Sequence, residues 1–187
     1  MKRALLTVAG ALLFGTAASA AVITYTAALG NFENPPTGSP GTGFASITVD
    51  SVANTMLVNV TFSGLTSGVT ASHIHCCVPV GQNAGVATTT PTFPGFPNGV
   101  MSGTYSHVFD LTQAGSWNPA FVTASGGTTA GAESALLAGL AADQAYLNIH
   151  TTSFNLGEIR GFLAAPEPGT FLLAGAMLAG ILIRRRK

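Results

Sequence analysis

The chain has 187 residues, with 7 Lys and Arg against 7 Asp and Glu, and only 7% of its residues are charged. The neutrality hides an uneven distribution. Between residues 21 and 165 stand six carboxylates (Glu33, Asp50, Asp110, Glu133, Asp143, Glu158) and one cation, Arg160, a formal charge of −5. A segment so poor in Lys and Arg cannot neutralise phosphates, which excludes nucleic-acid binding, while its length suffices for one domain with a real core.

At the N-terminus Lys2 and Arg3 precede a largely apolar stretch, residues 4–14, and Ala18-Ser19-Ala20 fits an A-x-A cleavage site. This order is that of a secretory signal peptide, cut after Ala20 by signal peptidase. The expected organisation is therefore a leader over 1–20, one domain over 21–165 and a C-terminal signal over 166–187.

The domain reads as β-structure. Strands are expected at 22–27, 45–50 and 56–62, the last two alternating apolar and polar residues, with Val58, Val60 and Phe62 on one face. A Gly/Pro-rich loop over 30–43 separates the first two. Further strands are expected at 70–77, 102–109, 144–149 (ending at His150) and 158–163. One helix is expected at 129–142, where Ala132, Leu136, Leu137 and Leu140 recur at helical spacing. Seven or eight short strands with Gly-rich connections and one helix indicate an antiparallel β-sandwich. No βαβ repetition and no G-x-G-x-x-G appears, which argues against a doubly wound nucleotide-binding fold.

The two cysteines are neighbours, Cys76 and Cys77. Exported chains use cysteine mainly in disulfides; a vicinal disulfide, free or metal-liganding thiols, and intermolecular pairing all remain open from sequence. Just before them, His73 and His75 flank Ile74, and the two-residue period of a strand puts both imidazoles on one face. With His150 and Glu158 they form a sufficient ligand set for zinc or copper. The competing reading is a structural polar cluster in which the histidines bond to carbonyls and carboxylates. Arg160 is expected to pair with Glu158 or Asp50, and His107 to lie at the surface. Tyr25, Trp117 and Tyr146 are candidate sugar-stacking rings. Nothing resembles a hydrolase: there is no G-x-S-x-G, no H-E-x-x-H and no spacing that brings two carboxylates together.

The body resembles the CHRD domain. The likeness is carried by Tyr25-Thr26-Ala27-Ala28-Leu29-Gly30, Glu33-Asn34-Pro35-Pro36, Phe62-Ser63-Gly64-Leu65 and Ser72-His73-Ile74-His75. It is strongest in Asn148-Ile149-His150-Thr151 with Gly157-Glu158-Ile159-Arg160-Gly161. That resemblance implies an immunoglobulin-like β-sandwich and no enzymatic activity. Cys76-Cys77 stands where the family often has a small residue.

At the end of the chain, Pro166-Glu167-Pro168 leads into an apolar run over 171–183 and then Arg184-Arg185-Arg186-Lys187. This arrangement resembles the PEP-CTERM sorting signal of Gram-negative bacteria, which implies a transmembrane helix over 170–183 and processing by an exosortase-type membrane protease. The leading expectation is thus a non-enzymatic binding or structural module without a cofactor. It is exported, transiently anchored in the inner membrane, then delivered to the cell surface or biofilm matrix beside exopolysaccharide or surface proteins. The alternative is a metal-binding protein with redox capacity, taking Zn or Cu on His73, His75 and His150.

Overall fold

The computed structural model describes residues 22–166. Among them, seven antiparallel strands form two sheets. The first contains β1 (Val22–Leu29), β2 (Thr42–Asp50), β3 (Thr55–Ser63) and β5 (Gly103–Asp110) in the order β1-β2-β3-β5. The second contains β4 (Val69–Cys76), β6 (Ala145–Thr151) and β7 (Ile159–Phe162) in the order β4-β6-β7.

The first sheet follows the alternation expected from sequence. Tyr25, Ala27 and Leu29, then Ala45, Ile47 and Val49, then Met56, Val58, Val60 and Phe62 point into the core, while the intervening Thr, Ser and Asn residues are more exposed. The second sheet behaves differently. Every residue of β6 is buried, and so is β4 from Ser72 to Cys76. One face of this sheet, bearing Ile74, Leu147, Ile149 and Ile159, packs into the common core. The opposite face is polar, and connecting loops cover it. A strand buried on both faces carries no clean hydrophobic period. For that reason β6 reads as a strand from its β-branched and aromatic residues rather than from alternation.

The two layers are stitched along one edge. Gly30 and Arg160 exchange backbone hydrogen bonds (3.0 and 3.1 Å), as do Thr26 and Ala164 (2.9 and 3.0 Å). Between these bridges Gly161 lets the chains close, since a Cβ there would strike the carbonyl oxygen of Ala28.

Two helices fill the long β5–β6 connection. In α1 (Pro119–Ala124), the Asn118 side chain accepts from the Ala120 N–H at 3.0 Å and Pro119 takes the first helical position. In α2 (Thr129–Ala141), Thr128 caps the Gly131 N–H at 3.0 Å, and Ala132, Leu136 and Leu140 are buried. The second helix agrees with expectation to within a residue; the first, with a 3₁₀ turn at Ala114–Ser116, was too short to show a helical period.

Two expectations need correction. The molecule is sandwich-like, but its connectivity is not that of an immunoglobulin domain, whose third strand has already crossed to the second sheet. Here β3 stays beside β2, and the crossing is made by β4. The transmembrane helix expected over 170–183 is not found. Among the described residues no helix is long and apolar enough to cross a membrane, and 170–183 itself lies outside them. The physical ground for that helix was weak, because thirteen uninterrupted apolar residues cover only about 20 Å of a hydrocarbon core of about 30 Å. Transient anchoring in the inner membrane is withdrawn with it.

Leu147, fully buried on the core face of β6, backs the polar face directly. Leu147→Ala is expected to lower unfolding free energy by about 2–5 kcal/mol. A urea midpoint unchanged from that of the parent would contradict this placement.

Candidate metal centre

The polar face of the second sheet is set by strand register. Ala71 lies opposite His150, His73 opposite Asn148 and His75 opposite Tyr146, while Asn148 and Tyr146 in turn face Arg160 and Phe162. His73, His75 and His150 therefore surround Asn148 on one surface. Their ring centroids are 5.2–5.9 Å apart. They form a ligand-competent group whose donor atoms all lie within 4.8 Å of one another.

Each ring is held by a carbonyl from a different part of the covering loops. His73 Nε2 meets Pro91 O at 2.6 Å, His75 Nδ1 meets Ala84 O at 2.9 Å, and His150 Nδ1 meets Asn155 O at 3.0 Å. A carbonyl oxygen only accepts, so each of these nitrogens carries the proton. The other nitrogens, Nδ1 of His73 and Nε2 of His75 and His150, are then bare lone pairs; they are buried and make no hydrogen bond within the chain. Burial also keeps the rings neutral. It lowers the pKa of all three, that of His75 to about 4, against the opposing pull of the carbonyl bonds. Three neutral imidazoles with inward lone pairs and carbonyl-held outer N–H groups are the arrangement of a metal site with its orienting partners in place. Nitrogens bound at about 2.0–2.1 Å to a tetrahedral zinc stand roughly 3.3 Å apart, closer than the 4.8 Å within which these donors lie.

Glu158 does not join them. Its carboxylate accepts from Ser39 Oγ (2.6 Å), from Thr66 N and Oγ1 (2.6 and 3.0 Å) and from Thr151 Oγ1 (2.6 Å). Burial opposes its ionisation, but these bonds outweigh it and leave the pKa below the ordinary value. Glu158 thus ties two loops to the end of β6. Arg160 pairs with neither Glu158 nor Asp50. Its Nε lies 3.8 Å from Glu33 and donates to Phe32 O at 2.7 Å, and its other nitrogens reach Gly81 O, Gln82 O and Asn83 Oδ1.

Cys76 and Cys77 form the vicinal disulfide, so neither sulfur is a thiol ligand. Its sulfurs rest on Gly139 of α2, where a Cβ would collide with both. His107 is half-buried between the rings of Tyr105 and Phe109, away from the trio. Tyr25 and Trp117 are core residues rather than sugar platforms, and the Tyr146 ring packs on His75 and under Arg160. Sequence reasoning missed the parts played by Glu33 and Asn148. The signal available for Glu33 was its place in the Glu33-Asn34-Pro35-Pro36 motif.

The model of the CHRD domain matches residues 25–163, nearly all of the described structure. The chain belongs to the CHRD family. No curated protein and no solved structure matches it. The CHRD match ends ahead of Pro166, and no finding supports the PEP-CTERM signal or exosortase processing. Ala20, Glu167 and Pro168 lie outside the described residues, and Pro166 is the last of them. Delivery to a surface or matrix through that signal is set aside, and the buried histidine trio favours the metal-binding alternative instead.

The depressed imidazole pKa values have a measurable consequence for the metal-free chain. A base whose pKa in the fold lies below its unfolded value gives its full stabilisation above the unfolded value. That stabilisation is lost as pH falls toward the folded value. For His75 the window runs from 6.5 down to about 4. Glu33, whose pKa burial raises to about 7, acts with the opposite sign. The difference between parent and His75→Gln therefore isolates the histidine. Chelator-treated parent protein is expected to lose about 1–3 kcal/mol more than His75→Gln between pH 7 and pH 4.5, measured by urea titration. Parallel curves would refute a neutral, buried His75.

Proposed function

We propose that this CHRD-family chain is a metal-binding protein that holds one divalent ion of the zinc or copper class on Nδ1 of His73 and Nε2 of His75 and His150. The observation that carries the reading is the convergence of three buried, unpartnered nitrogens on rings whose opposite nitrogens are each fixed by a backbone carbonyl. An unmet buried acceptor costs about 1–3 kcal/mol. A purely structural cluster would gain by pairing these nitrogens with donors, whereas here all three are left unpaired within one buried group. Neutral imidazole suits zinc and copper, and the absence of a carboxylate from the group counts against magnesium and calcium.

Protein purified without chelators is expected to contain about one equivalent of zinc or copper. Saturating metal at 100 times its Kd should raise unfolding free energy by about 2.7 kcal/mol, or roughly 5–10 °C in Tm. His73→Ala, His75→Ala and His150→Ala should each abolish stoichiometric binding, while Glu158→Gln should keep it. Elemental analysis below about 0.1 equivalent, together with no Tm response to either ion, would remove the proposal.

A further inference from the structure

Two of the three histidines form the inner wall of a cavity of about 480 Å³. Its other walls include Glu33, Pro36, Tyr146 and Leu156. Glu33 is only 8% exposed, and its Oε1 makes no hydrogen bond in the chain. Asn148, 1% exposed, likewise leaves Oδ1 unpaired. These two groups meet at Gly157, whose φ is +126°. A Cβ there would sit 2.6 Å from Glu33 Oε1 and against the Asn148 amide. Glu33 and Gly157 line the cavity, and Asn148 lies behind them, so the missing side chain at 157 leaves room beside the Glu33 carboxyl at the cavity wall.

The chemistry of the walls narrows the occupant. Arg160 is the only Lys or Arg between residues 21 and 165, and its N–H groups are already taken up by Phe32, Gly81, Gln82 and Asn83. Apart from an ion on the histidines, no free cation of the described residues therefore greets an anion, and Glu33 repels one when ionised. A carboxyl whose pKa burial raises to about 7, against the pull of Arg160, both donates and accepts near neutrality. The partner that matches a group of either polarity is a hydroxyl. The volume lies within the range for small-molecule sites, and proline, leucine and tyrosine walls suit an apolar ring face.

We propose that this cavity binds a neutral polyhydroxyl ligand, a diol that reaches the histidine-bound ion through one oxygen and meets the Glu33 carboxyl through another hydroxyl. The inference rests on the metal reading above and adds the ligand class to it. A diol can come from a catechol-type aromatic or from a sugar, and the two sources share the same pair of hydroxyls.

The full chain loaded with Co(II) provides the test, because the visible bands of Co(II) report its coordination. Loading is measured first, and a chain that takes no Co(II) fails the metal reading before any diol is added. The loaded chain is then titrated with catechol, with a methyl glycoside and with inorganic phosphate. Saturable band shifts with at least one diol are expected, at lower concentration than with phosphate. Glu33→Ala should weaken the diol about tenfold or more, the loss of one strong hydrogen bond, with Co(II) affinity within about twofold of the parent. Leu156→Trp, at the exposed rim, blocks the cavity without touching Arg160 and should weaken binding similarly. A response to catechol alone identifies the aromatic source, and one to the glycoside alone the sugar. A Co(II)-loaded chain that ignores both diols, prefers phosphate, or binds diols equally well in both variants overturns the inference.

Discussion

A sheet buried on both faces must satisfy two different demands with one set of strands, and this constraint organises the molecule. One face of β4-β6-β7 is apolar and closes the common core; the other carries His73, His75, Asn148, His150 and Arg160 beneath a cover of loops. Buried polar groups need partners. The loops over 30–37, 77–92 and 152–157 supply them as backbone carbonyls and side-chain oxygens. These loops are ordered by the site as much as the site is ordered by them: the Ala84 peptide donates its N–H to Tyr146 at 3.0 Å and accepts from His75 at 2.9 Å.

Arg160 and Glu158 anchor this cover from below. A buried guanidinium is tolerable only when its donors are met and its charge is balanced. Arg160 meets carbonyls from two loops, approaches Glu33 and lies 4.7 Å from the Tyr146 ring centre. Glu158 performs the complementary task by collecting hydroxyl and amide donors from residues 39, 66 and 151. The two charges that sequence reading pairs with each other thus serve separate loop clusters. That separation frees the three histidines from competing ion pairs.

How much of this the sequence discloses depends on period and on range. Strands of the first sheet are legible because one face meets solvent, and Val58, Val60 and Phe62 announce the other. The His73–His75 pair is legible for the same reason, since a two-residue period needs no tertiary knowledge. His150 could be placed beside the pair because the Asn148-Ile149-His150-Thr151 motif marks its strand, and in the structure it groups with His73 and His75. Glu158 was misassigned because sequence proximity to His150 says nothing about hydroxyls arriving from residues 39 and 66. Glu33 was passed over because it lies in a Gly/Pro-rich loop without periodicity. Its place beside Arg160 is fixed only by the closure of β1 on β7. The partition of strands between sheets was equally hidden, because a hairpin and a crossing both read as a turn.

The site's energetics follow from where its ligands are mounted. In small zinc-dependent modules the ion organises a chain that lacks a core, and binding free energy is folding free energy. Here two ligands stand on one strand and the third on its hydrogen-bonded neighbour, backed by Ile74, Leu147 and Ile149 in a core that closes without them. Little of an ion's affinity is then spent on ordering backbone. What an ion at the proposed site would relieve is local, namely three buried lone pairs without partners in the chain. The fold therefore presents the imidazoles at a fixed spacing, and under the proposed reading the cavity beyond His75 and His150, rather than any rearrangement of the sheets, would decide what else reaches an ion held there.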